Sequence, residues 1–208
     1  MKDEKETRKK LLISAKKEFM EKGYLQASLR NICKDAGVTT GALYFFFQDK
    51  EDLFASLVQE PLDKMYALVM KHYEDERNQL QGGSMEMDSS DEDYEMVTQV
   101  IHYLYQYSSE FQLILAKSYG SRFENSIERF VAITQQHYRI LLDQMAEKKH
   151  IQRVDDFVIH WIAHMHIDIF VHMIKHETSE KEAIGHMSLI IKYLFKGWYG
   201  MFEGLEKK

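Results

Sequence analysis

The sequence predicts an all-α protein, a small N-terminal helix-turn-helix head followed by a larger helical body. Three observations carry this. Only one proline and ten glycines punctuate 208 residues, and no segment alternates apolar and polar residues as a half-buried strand does. Apolar residues recur instead at helical spacing from Lys9 almost to the C-terminus. The head spans residues 1–50 and the body 51–208.

Lys9 to Gly23 reads as an amphipathic helix with Leu12, Ala15 and Phe19 on one face, lysines on the other, and Gly23 as its stop. Phe19, Tyr24 and Leu25 are expected to fill a small core with Ile32 and Phe47. Ser28 then caps a second helix whose Leu29, Ile32, Cys33 and Ala36 face inward, with Arg30, Asn31, Lys34 and Asp35 outward. Gly37 ends it, Val38 plugs the angle and Thr39 caps a third helix. Inside that helix Leu43 and Phe46 or Phe47 must point to the core, which leaves Thr39, Thr40, Gly41, Ala42 and Tyr44 on the outer side. Two short helices at a tight turn, the second small and polar at its start, are the form of an element that reads the major groove. Small residues allow close approach, and threonine and tyrosine hydroxyls reach phosphates or bases.

In the body a long helix runs from about 50 to 80. It is interrupted by Pro61, which either kinks or restarts the helix or opens a new one at its first turn. Residues 82–93, GGSMEMDSSDED, read as a solvated loop with Ser90 or Asp91 capping the next helix. Helices follow near 92–107, 109–118, 122–148, 154–176 and 180–203. Residues 157–174 and 187–202 are apolar on nearly every side, so each must bury one face on its own domain and another on a second subunit. Two such helices from each chain make a symmetric four-helix dimer interface.

Charge divides the chain as the helices do. Residues 1–50 hold 11 Lys or Arg against 7 Asp or Glu, while the other 158 hold 16 against 26. A basic head on an acidic body suits contact with DNA at one end. The stretch from Trp161 to Ile174 is too short for a membrane span and carries His164, His166, His172 and Asp168. The charged N-terminus does not read as a signal peptide. One cysteine excludes an internal disulfide and fits a cytoplasmic location.

Residues 28–53 resemble the DNA-binding signature of the TetR/AcrR family of bacterial transcriptional regulators. The matching residues are Ser28, Ile32-Cys33, Ala36-Gly37-Val38, Thr39-Thr40-Gly41, Ala42-Leu43-Tyr44, Phe47, Lys50-Glu51 and Leu53. Cys33 stands where the family usually has Ala. Phe46 stands where it commonly has His or Tyr, and a phenyl ring cannot donate to that phosphate. The resemblance implies a homodimeric, ligand-responsive repressor that releases a roughly palindromic double-stranded operator on binding a small effector. It implies further that Arg30 reaches DNA from the edge, Thr39, Thr40, Gly41 and Ala42 approach base edges, Tyr44 meets the groove wall and Lys50 holds a phosphate.

The body's effector is not identified by its residues. Met96, Tyr103, Tyr105, Tyr107, Phe111, Tyr119, Phe123, Phe130, Tyr138 and Met145 are at once core at helical spacing and candidates to line an apolar pocket. His160, His164, Asp168, His172 and His176 form a stripe at successive i, i+4 spacings, which leaves a metal- or haem-responsive regulator as an alternative. A helical partner-binding adaptor is another. No cofactor and no metal site is expected. No nucleophile elbow, phosphate-binding glycine loop, zinc-protease helix or dinucleotide fingerprint occurs, so the chain does not read as an enzyme.

Overall fold

The computed structural model describes residues 2–81, 90–176 and 179–201. The described residues form α1 (Lys2–Gln26), α2 (Leu29–Ala36), α3 (Thr40–Phe46), α4 (Lys50–Gln81), α5 (Ser90–Gln106), α6 (Ser108–Lys117), α7 (Ser126–Lys149), α8 (Asp156–Lys175) and α9 (Glu180–Gly200), with no strand among them. The all-α class is as expected. Most of the expected loop, residues 82–89, lies outside the described residues, as do 202–208.

The chain divides into two compact units. The first comprises residues 1–64 and 107–127, so it contains α1 to α3, the first half of α4, and α6. Its core is Leu11, Ala15, Phe19, Ile32, Cys33, Leu43, Phe47, Leu53, Phe54 and Val58, all buried. Phe54 meets Phe19 edge-on at 4.9 Å, a favourable aromatic geometry. The inward stripe of α1 starts at Leu11, with Leu12 only half-buried.

Helix α1 starts earlier than its apolar period suggests. Asp3 and Glu4 lie in its first turn, where they complement the dipole. Gly23 breaks it as anticipated: its φ of 73° and ψ of 163° are not helical. That break rotates Leu25 out of register, so Leu25 is 60% exposed rather than in the core with Phe19.

Pro61 neither ends nor starts a helix. Helix α4 is continuous through it, with Pro61 itself buried beside Val58, Leu62 and Met65. The amide lost at one position is outweighed by an apolar face that stays buried on both sides of it.

The second unit comprises residues 65–106 and 128–208. Leu141, Leu142, Met145 and Ala146 of α7 pack with Ile151, Ile159 and Trp198 in one cluster. Ile101 of α5 and Ala183 and Met187 of α9 form another, covered by Ile169, Phe170 and Met173 of α8. Arg139 bridges the start of α8, its guanidinium 3.3 Å from Asp156 and donating to the Val154 carbonyl at 2.7 Å.

One expectation is corrected in α8. By length and composition this helix is long and apolar enough to cross a membrane, because its apolar run starts before Trp161, at Phe157. Phe157, Trp161 and Met165 are exposed on it at i, i+4 spacing, and Leu189 and Tyr193 are exposed on α9.

Candidate DNA-binding site

The α2–α3 pair is built by local chemistry that its own sequence supplies. Ser28 takes an extended conformation and its hydroxyl accepts from the Asn31 amide at 3.4 Å. Glu18 of α1 fixes this cap by accepting from the Ser28 amide at 3.0 Å and from the Asn31 side chain at 3.2 Å. Gly37 ends α2 in the left-handed region, φ 69° and ψ 33°, and the Val38 amide donates to the Cys33 carbonyl at 2.9 Å. Two residues on, Thr39 caps α3 by accepting from the Ala42 amide at 3.2 Å.

Contacts to α1 hold the pair as a unit. The Ser14 hydroxyl is buried and lies 2.9 Å from the Ile32 carbonyl and 2.8 Å from the Asp35 carboxylate, sharing its proton between them. That hydrogen bond, with Lys17 beside it, lowers the Asp35 pKa. Arg8 near the start of α1 sits over the Phe47 ring at 5.3 Å, against the end of α3.

The expected DNA-contacting residues gather on the surface of this pair. Arg30, Thr39, Thr40, Gly41 and Tyr44 are exposed, and Ala42 is half-buried. Lys50 is half-buried. Its ammonium donates to the Leu25 carbonyl at 3.0 Å and lies 4.9 Å from the Tyr24 ring. Burial lowers its pKa, with Glu18 acting the other way. The next residue, Glu51, accepts from the Tyr24 hydroxyl at 2.8 Å and from the Arg122 amide at 3.3 Å. Burial and then this carboxylate push the Tyr24 pKa up to about 12. Lys50 and Glu51 thus tie the start of α4 to the end of α1, and Glu51 also reaches the segment after α6. Asp49 and Asp52 complete that start, Asp49 accepting from the Asp52 amide at 2.8 Å and Asp52 from the Gln48 amide at 2.9 Å.

One surface residue was missed. Phe45 is 72% exposed on α3, more than Tyr44 at 56%. The signal was present in the helical period: counting from the inward Leu43, residue 45 falls on the opposite side.

The candidate pocket residues are divided between the two units. Phe111 and Phe123 are buried in the first unit, and Tyr119 is exposed there, whereas Phe130, Tyr138 and Met145 belong to the second. Phe130 stacks on Tyr66 at 4.2 Å. Polar groups that sequence patterning did not single out lie inside the second unit. His137 is buried, its Nε2 donates to the Glu76 carboxylate at 2.6 Å, and its ring stacks on Tyr73 at 3.9 Å. His166 pairs with the Tyr138 hydroxyl, and burial lowers its pKa to about 4.

The histidine stripe is partly engaged. His160 pairs with Gln135 at 3.0 Å and His164 lies 3.8 Å from Glu128, while Asp168, His172 and His176 are exposed. Among the described residues no three His, Cys, Asp or Glu side chains are gathered as a metal ion requires.

Residues 11–57 match the model of bacterial regulatory proteins of the tetR family. The chain is 47% identical over 53 residues to the HTH-type transcriptional repressor BepR of Brucella suis, covering 26% of this chain and 25% of that protein. It is 46% identical over 52 residues to the HTH-type transcriptional regulator AcrR of Shigella flexneri, covering 25% of this chain and 24% of that one. The chain thus matches about a quarter of the length of these relatives. Over nearly the whole chain the fold is shared. A transcriptional regulator from Aquifex aeolicus superposes with a TM-score of 0.59 at 18% identity, covering 90% of this chain and 99% of that one. NalD, the secondary repressor of a multidrug efflux pump in Pseudomonas aeruginosa, superposes with a TM-score of 0.55 at 16% identity, covering 93% and 98%. Residues 11–57 thus carry the DNA-binding domain of the tetR family of bacterial regulatory proteins, and the helical fold behind it is one that these solved regulators share.

Proposed function

We propose that this chain is a homodimeric, sequence-specific repressor of transcription, acting in the cytoplasm. Residues 1–50 bind operator DNA, and residues 51–208 dimerise and bind a small effector that releases it. The observation that carries this is the capped α2–α3 pair, with Arg30, Thr39, Thr40, Gly41 and Tyr44 together on its exposed side. Hydroxyls at the start of α3 meet bases and phosphates at short range, and Gly41 lets the helix backbone come close. Lys50 has three ammonium protons, of which the Leu25 carbonyl takes one, so the group can bind a phosphate while still joining α1 to α4.

Dimerisation is supported by the exposed apolar face of α8 and α9. Phe157, Trp161, Met165, Leu189 and Tyr193 would otherwise face water. Two copies joined there carry two reading helices, which calls for a roughly palindromic operator. An effector releases DNA only by binding better to a state whose heads no longer match successive grooves.

The test is a gel shift with duplex DNA from upstream of the protein's own gene, in parallel with selection from a randomised duplex library. A shifted band that competitor DNA of unrelated sequence does not remove is expected. Tyr44→Ala should weaken it about tenfold, the scale of one hydrogen bond to a charged phosphate. No sequence preference for the wild-type protein would leave the helical-adaptor alternative in its place.

A further inference from the structure

We propose that Phe45 is a specificity-determining residue that reads the methyl group of a thymine in each operator half-site, an inference that rests on the repressor function above. Helix α3 advances about 100° per residue, so Gly41 and Phe45, four apart, lie on one face, about 200° from the residue between them, Leu43. Leu43 is fully buried, which makes Gly41 and Phe45 the two residues of α3 directed most squarely away from the core. Nothing in the free protein demands glycine at 41. A Cβ added there would meet only the Thr39 hydroxyl, at 3.8 Å, an ordinary contact. A helical glycine is destabilising relative to alanine, so its use here fits close approach of something from outside. Phe45 stands on that same face, 72% exposed, about 6 Å further along the helix axis. Its ring is already oriented by edge-on contact with Phe46 at 4.9 Å and 88°.

A phenyl ring can neither donate nor accept a hydrogen bond to a base edge. Of the four bases, only thymine presents an apolar group in the major groove, its C5 methyl. An apolar side chain on the groove-facing side of a reading helix therefore discriminates thymine from the other bases by burying that methyl. Alanine and threonine methyls on α3 can do the same, so the assignment to Phe45 needs a comparison across both protein and DNA.

The experiment uses the full chain and an operator obtained from the library selection above. Each thymine is replaced in turn by deoxyuridine, which removes the methyl and keeps every hydrogen bond. At one symmetry-related pair of positions the wild-type protein should bind deoxyuridine about fourfold more weakly per half-site, the value of one buried methyl-sized group. Phe45→Ala should bind the thymine operator more weakly and lose that discrimination, and Phe45→Leu should keep part of it. Position 45 is exposed, so both variants should fold, and unchanged circular dichroism and unchanged non-specific DNA binding confirm it. Equal binding to thymine and deoxyuridine at every position, or a ratio that survives in Phe45→Ala, overturns the assignment. Selected operators without a shared thymine also overturn it while leaving the repressor function standing. Selection of no sequence at all refutes that function and this inference together.

Discussion

Replacing Gly37 by alanine isolates a backbone effect from any steric one. Gly37 sits at φ 69°, and a Cβ built there meets nothing within 4 Å. The cost is therefore conformational. Holding an L-residue in the left-handed region costs about 1–2 kcal/mol. Alanine also narrows the unfolded chain, which returns about 0.4–1 kcal/mol. The net destabilisation is about 1 kcal/mol, and a urea slope of about 2 kcal/mol per molar turns it into a midpoint shift of about 0.5 M for the transition that unfolds the head. Asparagine tolerates this region through local hydrogen bonding of its side chain, so Gly37→Asn should fall within a few tenths of a kcal/mol of wild type. Equilibrium urea unfolding of the full chain, followed by circular dichroism, measures all three proteins. Under conditions where all are folded, Gly37→Ala should retain operator affinity, since the added methyl touches nothing that sets the angle between α2 and α3. Equal stability of the alanine and glycine proteins would refute the left-handed cap. So would an asparagine variant as unstable as the alanine one.

Lys50→Ala should weaken binding to all duplexes alike and flatten the dependence of log affinity on log salt by about one, the loss of a single phosphate contact; a changed operator preference in a binding-site selection would refute that role. Trp161→Glu places a charge at the centre of the exposed α8 face and should raise the dimer dissociation constant by on the order of thirtyfold or more, the size of an aromatic hot spot, as read by sedimentation velocity. An unchanged dimer would place the interface elsewhere. His166 is held neutral by burial, with its pKa lowered to about 4. The unfolded chain then binds the extra proton first, so stability contributed by the neutral ring is present above about pH 6.5 and lost as pH falls towards 4. The loss is at most about 3 kcal/mol, since each pKa unit is worth about 1.4 kcal/mol. His166→Phe should flatten the unfolding free energy over that window, and an identical pH profile in the variant would show that another group controls it.

How much was legible in the sequence follows from the range of the interactions. The caps at Ser28 and Thr39, the left-handed Gly37 and the break at Gly23 each depend on residues within one helical turn, and all four appear where the sequence places them. The outward set Arg30, Thr39, Thr40, Gly41 and Tyr44 follows from the same period. Phe45 should have joined it and was hidden by its neighbours: three consecutive phenylalanines look equally suited to a core, and only packing separates Phe47, which is buried, from Phe45, which is not. The interruption expected at Pro61 does not occur, for a related reason. Local propensity counts the lost amide against the helix, but the burial of Val58, Leu62 and Met65 keeps it intact.

The sequence by itself determined the all-α class, the helix-turn-helix and the residues exposed on its outer side, because each is written in caps, turns and apolar periods no longer than one or two turns of helix. Only the tertiary structure decided that α6 joins the head, with Lys16 meeting Glu110 at 2.6 Å across 94 residues of sequence. It alone placed the Lys50 ammonium on the Leu25 carbonyl, buried His137 and half-buried His166 in the body. Those outcomes depend on which distant surfaces meet, and a polar side chain carries no local sign of whether its partner will be water, a carbonyl or a second helix.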